Sequence, residues 1–367
     1  MKHSNKILFS LFVFLFLSTC LNAQVERTDA SPGGEDAAAK FASLKTLADE
    51  GDPDALCELG NIYRDGRGVA KDEKAAVEWY RKAAEQENAV AQNNLGAMYR
   101  NGCGVTKDDT TAVEWYRKAA EQGHVNAQCN LGVMYMNGCG VAKDEKAAVE
   151  WYRRAAEQGN ARGQYYLGIM YVKGCGVAKD DTTAAEWYLK AAEQGYANAQ
   201  YNLGVMYANG RGVAKDEKIA VEWYRKAAER GYASSQYNLG FMYANGLGVE
   251  KDDATAVEWF RKAADQGDAW AQNNLACMYN EGRGVKRNYT EAMRWYRMAA
   301  DQGVSVACSD IGDLYANGQG VEQDSNEAQR WYAKAAELNR SKTESAATEA
   351  ISESTPKPAP ANDADGQ

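Results

Sequence analysis

Side chains suited to acid–base or nucleophilic chemistry are scarce in this chain. Only two of its 367 residues are histidines, although histidine is the usual general base and metal ligand at neutral pH. His3 lies in a predicted export signal, which leaves His124 as the lone imidazole of the mature chain. Neither a Gly-x-Ser-x-Gly nor a His-Glu-x-x-His sequence occurs. The sequence therefore predicts a protein that is not an enzyme and binds no cofactor.

Cysteine is the other candidate ligand, and three of the eight cysteines recur at a fixed interval. Cys103, Cys139 and Cys175 each stand between two glycines, 36 residues apart. Equivalent atoms of stacked helical hairpins are ~10 Å apart, whereas Zn–S bonds are about 2.3 Å long and a disulfide needs Cα atoms within about 7 Å. Loss of Cys20 with the signal would leave an odd set of cysteines. We expect no metal site and infer no disulfide framework.

The charge balance and the aromatic content narrow the class of partner. The chain has 42 Lys and Arg against 51 Asp and Glu, a net charge of -9, whereas nucleic acid is bound through clustered positive charge. The charge balance therefore predicts no nucleic-acid partner, while the 22 tyrosines and 9 tryptophans are side chains that anchor protein contacts. The sequence favours a protein or extended peptide as partner and leaves the oligomeric state open.

The tryptophans also show how the chain is organised. Eight of the nine follow one another at intervals of 36 residues, and a tyrosine column and a Gly-x-Gly-Val turn keep the same interval. A fixed period of 20 to 50 residues is typical of solenoid proteins. The pattern predicts eight repeats over residues 52–339. The tryptophans are Trp79, Trp115, Trp151, Trp187, Trp223, Trp259, Trp295 and Trp331.

Each repeat predicts two antiparallel helices, named A and B here. In the second repeat Leu95 and Tyr99 lie at helical spacing, and Gly102 ends helix A because it tolerates the left-handed conformation. Asp108 is placed to cap helix B, which we expect to run to about Gln122. Neither helix can bury its apolar face alone, so the predicted fold is an all-α solenoid of eight 36-residue helix-turn-helix repeats that stabilise one another by stacking.

The N-terminal end differs from the repeats. Residues 1–23 combine Lys2 and Lys6 with an apolar run of 11 residues, far short of the ~20 that span a bilayer. They predict a signal peptide cleaved near Ala23, an exported protein that is periplasmic or secreted, and a mature chain without a membrane span. Because Leu17-Ser18-Thr19-Cys20 resembles a lipobox, a lipoprotein anchored at Cys20 is the alternative, and an uncleaved anchor is a third.

Two further segments flank the repeats. Residues 24–51 predict a linker and a capping helix over Ala37–Glu50. Residues 340–367 are rich in Ser, Thr, Glu, Ala and Pro, with Ile351 as the lone strongly apolar residue. Such a segment cannot bury enough apolar surface to offset its ordering entropy, and we predict a disordered tail.

A single consensus describes the repeats. Residues 199–231 follow the pattern Ala-Gln-x-Asn-Leu-Gly-x-Met-Tyr-x-x-Gly-x-Gly-Val-x-x-Asp and then Ala-x-x-Trp-Tyr-x-Lys-Ala-Ala-x-x-Gly. This pattern resembles the Sel-one-like repeat family, relatives of the tetratricopeptide repeats. The resemblance implies a right-handed α/α superhelix that works as an adaptor or scaffold, often exported and linked to envelope or signalling processes. Cysteine-rich relatives are associated with β-lactam chemistry, so a cell-wall or β-lactam hydrolase is the alternative. Here Ala84 and Ala91 stand where those relatives carry paired cysteines.

If the A helices line the concave face, as the tetratricopeptide resemblance implies, two columns beside the repeated leucine face a partner. Both columns become aromatic or apolar in repeats four to six and stay polar at their ends. The first is Cys57, Asn93, Cys129, Tyr165, Tyr201, Tyr237, Asn273 and Ser309, and the second is Asn61, Ala97, Val133, Ile169, Val205, Phe241, Cys277 and Asp313. An apolar centre with a polar rim is typical of an interaction surface.

The predicted binding residues follow from these columns and their neighbours. They are Tyr165, Tyr166, Ile169, Tyr201, Asn202, Val205, Tyr237, Asn238, Phe241 and Trp270. The alternative is that the rings only pack on the adjacent A helix, which would make the chain an architectural spacer. The asparagines belong to a column that either bonds a peptide backbone or caps a neighbouring loop. Arg100, Arg162 and Lys173 on the same surface suggest an acidic ligand.

Helix B carries a glutamate four residues before a lysine or arginine in six repeats. Ion pairs at this spacing contribute only ~0.2–0.5 kcal/mol each, which favours a solvated convex face. The pairs are Glu78 with Lys82, Glu114 with Lys118, Glu150 with Arg154, Glu186 with Lys190, Glu222 with Lys226, and Glu258 with Lys262.

Overall fold

A computed structural model describes residues 34–354, which form 17 α-helices. No strand occurs within that range. The helices are α1 Gly34–Asp49, α2 Pro53–Asp65, α3 Glu73–Glu85, α4 Ala89–Asn101, α5 Asp109–Glu121, α6 Val125–Asn137, α7 Glu145–Glu157, α8 Ala161–Lys173, α9 Asp181–Glu193, α10 Ala197–Asn209, α11 Glu217–Glu229, α12 Ala233–Asn245, α13 Asp253–Asp265, α14 Ala269–Glu281, α15 Tyr289–Asp301, α16 Ser305–Asn317 and α17 Ser325–Ser354. The predicted signal peptide lies outside the described residues.

From α2 onwards the helices alternate between A and B, so that α2 and α3 form repeat one and α16 and α17 form repeat eight. Each helix packs against the one before it and the one after it. The predicted all-α solenoid of eight helix-turn-helix repeats is confirmed. Among the described helices, none is both long and apolar enough to cross a membrane.

The predicted helix ends in repeat two are also confirmed. Asp108 Oδ1 accepts hydrogen bonds from the backbone N–H groups of Thr110 and Thr111, at 3.0 and 3.1 Å. Gly102 ends α4 with φ 70° and donates its N–H to the Met98 carbonyl. A carboxylate at one boundary and a left-handed glycine at the other satisfy backbone groups that the helices leave unpaired.

Close packing of helix A on helix B depends on a glycine that faces an aromatic ring. A Cβ atom built on Gly96 would lie 2.8 Å from Tyr116 Cδ1, and the Tyr116 side chain is 1% exposed. Gly60, Gly132, Gly168, Gly204, Gly240 and Gly312 face the corresponding ring in their own repeats. In repeat seven Ala276 takes the place of the glycine. The missing side chain lets the ring lie directly on the backbone of helix A.

Buried glutamines join each of repeats two to seven to the repeat before it. Gln92 Nε2 donates to the Ala84 carbonyl of the preceding B helix, and Gln92 Oε1 accepts from Gln122 Nε2 of its own B helix, at 3.1 and 2.8 Å. Gln122, Gln158, Gln194, Gln266 and Gln302 each donate to such a glutamine. Repeat five breaks the series, since Arg230 stands at that position and leaves Gln200 Oε1 buried without a hydrogen-bond partner.

The N-terminal helix α1 covers the open side of repeat one. The Phe41 ring meets the Tyr63 ring edge-on, with centroids 6.2 Å apart, and Ala48 is buried. Helix α1 overlaps the predicted capping helix and begins a few residues earlier. Covering the end of a repeat stack keeps its apolar surface from water.

The C-terminal end differs from the prediction. Disorder from residue 340 onwards is wrong for residues 340–354, which continue α17 as one helix of 30 residues. Alanine and glutamate in this segment are strong helix formers, and extending a helix that is already nucleated requires no new nucleus. The prediction considered only the absence of apolar packing. Residues 355–367 lie outside the described part of the chain.

The glycine contact predicts that Gly204→Ala destabilises the protein. A Cβ there would lie 2.7 Å from Tyr224 Cδ1, a buried ring that cannot move freely. Overpacking costs about 1–3 kcal/mol, which opposes the roughly 1 kcal/mol by which alanine favours a helix over glycine. Urea unfolding should show a lower free energy of unfolding. In a Tyr224→Leu background the loss should shrink, and an equal loss in both backgrounds would contradict the contact.

The interrupted glutamine series predicts that Arg230→Gln stabilises the protein. A glutamine at this position supplies the amide donor that Gln200 Oε1 lacks, and one such hydrogen bond contributes about 0.5–1.5 kcal/mol. Thermal or urea unfolding measures the gain. Arg230→Ala removes the guanidinium without adding a donor and is the matched control. If both variants gain equally, the missing hydrogen bond is not the cause.

Candidate partner-binding groove

The predicted binding residues lie together on the surface formed by the A helices, which we call the A-face. Successive A helices meet directly along it, as where Asn130 Nδ2 of α6 donates to Asn93 Oδ1 of α4 at 3.0 Å. Nine of the ten predicted residues are half-buried there: Tyr165, Tyr166, Ile169, Tyr201, Asn202, Val205, Tyr237, Asn238 and Phe241. The tenth, Trp270, is 46% exposed at the start of α14.

Three tyrosines of the first column pack on the B helix of their own repeat. The ring of Tyr165 lies 5.9 Å from that of Tyr188, measured between centroids, and Tyr201 lies 6.1 Å from Tyr224. Tyr237 meets Phe260 in the same way at 6.0 Å. These rings therefore stabilise the repeat through helix B, and the hydroxyls of Tyr201 and Tyr237 also reach Asn238 and Asn274 of the next A helix. Because they stay half-buried, part of each ring still faces outwards.

The rings of Tyr165, Tyr201 and Tyr237 form a row along the A-face, which we call the aromatic row. Two further tyrosines extend this row and were not among the predicted residues. Tyr196 and Tyr232 are the N-cap residues of α10 and α12, and their rings lie 5.1 Å from Tyr165 and 5.3 Å from Tyr201. Neither makes a side-chain cap hydrogen bond, whereas Asn88 caps α4 through its amide. Losing such a cap costs about 1 kcal/mol. The signal in the sequence is this replacement of a capping residue by an aromatic one.

Tyr166 joins the row to repeat three. Its ring stacks on Tyr152 with centroids 5.0 Å apart and an interplanar angle of 24°, and it touches Tyr165 at 5.5 Å. The Arg162 guanidinium lies over the Tyr166 ring at 5.6 Å. The aromatic side chains thus form contacts across neighbouring repeats, where the other repeats have asparagine, cysteine or serine in the first column.

The tyrosine hydroxyls of this row are protonated at neutral pH. Burial raises the pKa of Tyr165 and of Tyr201, and it raises the pKa of Tyr237 to about 12. A protonated hydroxyl both donates and accepts hydrogen bonds. The rings therefore offer apolar area together with a donor group, the combination that is common at binding surfaces.

The second column and Trp270 add apolar surface beside the tyrosines. Ile169 and Val205 are half-buried against the cores of repeats five and six, and Phe241 against the core formed by repeats six to eight. The exposed indole of Trp270 projects from the next repeat along the chain. The A-face of repeats four to six consequently combines rings with aliphatic side chains.

In repeats five and six the asparagine column contacts tyrosines, whereas Asn94 and Asn130 bond to asparagines of the preceding A helix. The Asn202 amide lies within hydrogen-bonding reach of the Tyr188 hydroxyl, and the Asn238 amide does the same for Tyr224 and Tyr201. A carboxamide has two donor hydrogens and two acceptor lone pairs. A contact to a tyrosine hydroxyl uses only some of these donors and acceptors, so the others can form hydrogen bonds to a bound peptide.

His124 has a structural role. Its Nδ1 accepts a hydrogen bond from the Ala127 N–H at 3.2 Å and so caps α6, as Asn88 and Asn160 cap α4 and α8. Burial lowers the pKa of the imidazole, which favours the neutral form that this bond requires.

Within residues 34–354 the cysteines form no disulfide with one another, and Cys57, Cys129 and Cys308 are buried. Between residues 34 and 354, no group of three or more His, Cys, Asp or Glu side chains is arranged to hold a metal ion. Burial raises the pKa of the Cys129 thiol to about 11. A thiol that stays protonated is a poor nucleophile.

The predicted ion pairs of helix B are wrong. In the described repeats none of the six glutamates pairs with the cation four residues later; each cation instead lies over the tryptophan three residues before it. The distances from Lys82, Lys118, Arg154, Lys190, Lys226 and Lys262 to their ring centroids are 3.9 to 4.5 Å. The tryptophans are half-buried, so their outer ring faces offer an electron-rich surface to the cation.

These features define an all-α helical-repeat protein with a cluster of aromatic and aliphatic side chains along its A helices. A family profile described as the Sel1 repeat matches eight consecutive segments: residues 53–88, 89–124, 125–160, 161–196, 197–232, 233–268, 271–304 and 305–339. The chain belongs to the Sel1 repeat family, which confirms the resemblance seen in its consensus. Proteins of this family are usually protein-interaction scaffolds and generally not enzymes.

Two solved structures resemble the whole solenoid. One is c5321, a protective antigen of uropathogenic Escherichia coli strains with the same fold, at 41% identity and a TM-score of 0.77; the match covers 81% of this chain and 64% of that one. The other is a Sel1 repeat protein from Oxalobacter formigenes, at 32% identity and a TM-score of 0.62, covering 85% of this chain and 94% of that one. This chain therefore spans 64% of the length of the E. coli protein. No curated protein sequence matches the chain.

The His124 cap predicts a pH dependence of stability. Because its pKa is lowered in the folded state, the unfolded chain binds the proton more tightly, so the stability is present above the ordinary histidine pKa of about 6.5 and is lost as the pH falls below it. His124→Asn keeps a cap of the kind that Asn88 provides and does not titrate. Unfolding at pH 7.5 and 5.5 should show a smaller acid-induced loss for this variant. Parallel pH profiles would contradict the role of the imidazole.

Proposed function

We propose that this chain is an exported, non-enzymatic scaffold that binds a peptide or protein segment on the A-face of repeats four to six. The observation that carries the proposal is the aromatic row, which includes Tyr165, Tyr201 and Tyr237 and is confined to these repeats. A stack that needed these rings only for its own stability would be expected to place them in every repeat, as it does with the buried B-helix aromatics.

The replacement of helix caps supports the same proposal. Repeats five and six have Tyr196 and Tyr232 where a capping Asn or Asp would hold the start of helix A, and both rings lie on the aromatic row. Ring packing recovers part of the lost cap energy. A cost to local stability that enlarges one surface patch is typical of a functional site.

The exposed parts of the rings supply a share of the binding energy. Complete burial of one large apolar side chain contributes about 1.5–3 kcal/mol, and a half-buried ring contributes the remaining part of that value. A micromolar Kd corresponds to roughly 8 kcal/mol of net binding free energy after the cost of association, so polar contacts must add to the rings and the exposed indole of Trp270. Asn202, Asn238 and the tyrosine hydroxyls would set the orientation of the bound backbone.

Export and an envelope or signalling process belong to the proposal as well. The predicted signal peptide of residues 1–23 supports secretion to the periplasm or beyond, with Cys20 as the lipid attachment point in the alternative. The similar E. coli protein is a protective antigen. A protein that elicits protection has to be accessible to the immune system, which fits an exported scaffold.

The proposal predicts that Tyr201→Ala combined with Phe241→Ala weakens partner binding strongly. The outward parts of these two half-buried anchors represent about 1.5–3 kcal/mol, so the affinity should fall roughly ten- to a hundredfold. Affinity capture from an envelope or secreted fraction, followed by titration of the captured partner against purified protein, measures the change. Trp270→Ala tests the same surface at an exposed side chain and with less effect on folding.

The control is Tyr135→Ala, which removes a half-buried tyrosine from outside the predicted binding columns. It should unfold at a lower temperature yet keep the partner. Circular dichroism melts must remain cooperative for all variants. Unchanged capture by the folded double variant would eliminate the A-face of repeats four to six as the binding site.

A further inference from the structure

Charged side chains of the A-face lie on either side of the aromatic row and have opposite signs. Arg162 lies at the repeat-four end of the row. Asp310 and Asp313 lie beyond its other end, in repeat eight. Repeats five and six carry no charged residue in the two predicted columns or in the asparagine column, where they have Tyr201, Asn202 and Val205, and Tyr237, Asn238 and Phe241.

Arg162 is a half-buried cation whose described partners include no carboxylate. Its Nη2 donates to Asn130 Oδ1 at 2.9 Å, and the guanidinium lies 5.6 Å from the centre of the Tyr166 ring. The ionisable groups that act on it are Tyr166, Cys129 and Tyr196, and none of them is a carboxylate. A cation that is partly removed from water and has no carboxylate beside it favours an incoming anion.

Arg100 adds to the positive charge at this end. It lies within hydrogen-bonding reach of the Tyr116 hydroxyl, and both Arg100 and Arg162 act electrostatically on Tyr116 and on Tyr152. The two guanidinium groups therefore face the same part of the A-face, next to the stacked rings of Tyr152 and Tyr166.

At the other end, Asp310 is a carboxylate that no cation acts on. The groups that act on it are the Tyr296 hydroxyl and the carboxylates of Asp313 and Glu281, with no cation among them. Burial and the adjacent Asp313 raise the pKa of Asp310 to about 6, so it is mostly ionised at pH 7.4. Asp313 accepts a hydrogen bond from the Tyr332 hydroxyl at 2.6 Å, while Glu281 is paired with Arg283.

A neutral acceptor without a donor lies beside this acidic pair. Asn273 is 4% exposed, and its Oδ1 atom has no hydrogen-bond partner. Its amide nitrogen contacts Cys277 Sγ at 3.9 Å, and Cys277 Sγ accepts from the Tyr296 hydroxyl, which in turn lies beside Asp310. This end of the A-face thus carries two carboxylates and an unpaired carbonyl oxygen with no cation among the groups that act on Asp310, the environment that suits an ammonium or guanidinium group.

We infer that the A-face binds one extended peptide segment in a single orientation, with an acidic group of the peptide on Arg162 and a lysine or arginine of the peptide on Asp310 and Asp313. The aromatic row holds the apolar residues between them. This inference rests on the proposed function and adds the chemistry and the direction of the partner. Opposite charges at the two ends make the reversed orientation unfavourable, because each end of the A-face would then face a peptide group of the same charge and repel it.

The distance between the charged ends sets the length of the segment. Repeats four and eight are four steps apart, and stacked helices at ~10 Å per step separate them by about 40 Å. An extended chain advances about 3.3–3.6 Å per residue, so the segment has roughly 12 residues.

Selection from a phage-displayed library of random 12-residue peptides on the full-length protein tests the inference. Enriched peptides should carry Asp or Glu near one end and Lys or Arg near the other, always in the same order, with apolar or aromatic residues between. Enriched peptides that bind the A-face without a constant charge order would overturn the inference and leave the proposed function intact. No enrichment, or equal binding to the Tyr201→Ala, Phe241→Ala variant, would overturn both.

Two conservative variants assign each end. Arg162→Gln keeps a donor for Asn130, and Asp310→Asn keeps the shape of the carboxylate. By fluorescence anisotropy with a synthetic enriched peptide, each variant should weaken binding about tenfold, and neutralising the matching charge of the peptide should then have no further effect. Lys179→Gln, which removes an exposed cation elsewhere, should leave the affinity unchanged. Equal losses from Arg162→Gln and Lys179→Gln would show general electrostatic attraction, and an unchanged affinity of Asp310→Asn would remove the basic group of the peptide from that end; either result would overturn the assignment.

Discussion

The structure depends on the contact between a glycine of helix A and an aromatic ring of helix B. With Gly96 the backbone of α4 lies against the Tyr116 ring, and a Cβ atom there would lie only 2.8 Å from the ring unless the ring moved. The ring in turn meets small residues around it, so its volume fills the space that two closely spaced helices leave. Because the same contact recurs in seven repeats, each hairpin presents the same shape to the next, and stacking can continue without a change of geometry.

A periodic core of this kind leaves other columns free to vary. Positions that the stack does not require differ from repeat to repeat, and in repeats four to six several of them became aromatic together. Tyr196 and Tyr232 show that this change has a local cost, since each replaced a capping side chain. The rings are neither freely exposed nor fully buried, so the same side chains stabilise the repeats and form the surface of the candidate groove.

Most of the fold could be predicted, while the candidate site could be predicted only in part. The repeat length, the helix ends in repeat two and the Asp108 cap followed from local chemistry. Tyr196 and Tyr232 were missed because they lie just before a helix, where a capping residue is expected. Their partners Tyr165 and Tyr201 lie nearly one repeat length earlier in the sequence, so no local pattern links them. The cations of helix B were assigned to glutamates, although the exposed faces of the tryptophans hold them instead.

The sequence by itself determined the family, the number of repeats and the two helices of each repeat. It could do so because glycines, apolar residues at helical spacing and capping residues act on the backbone within a few positions along the chain. The same local pattern occurs in eight repeats, which makes it easy to recognise. Only the tertiary structure decided which groups meet between repeats. The surroundings of Arg162, of Asp310 and of Gln200 Oε1 include groups from neighbouring helices. Such contacts depend on how hairpins stack, and no local pattern specifies them.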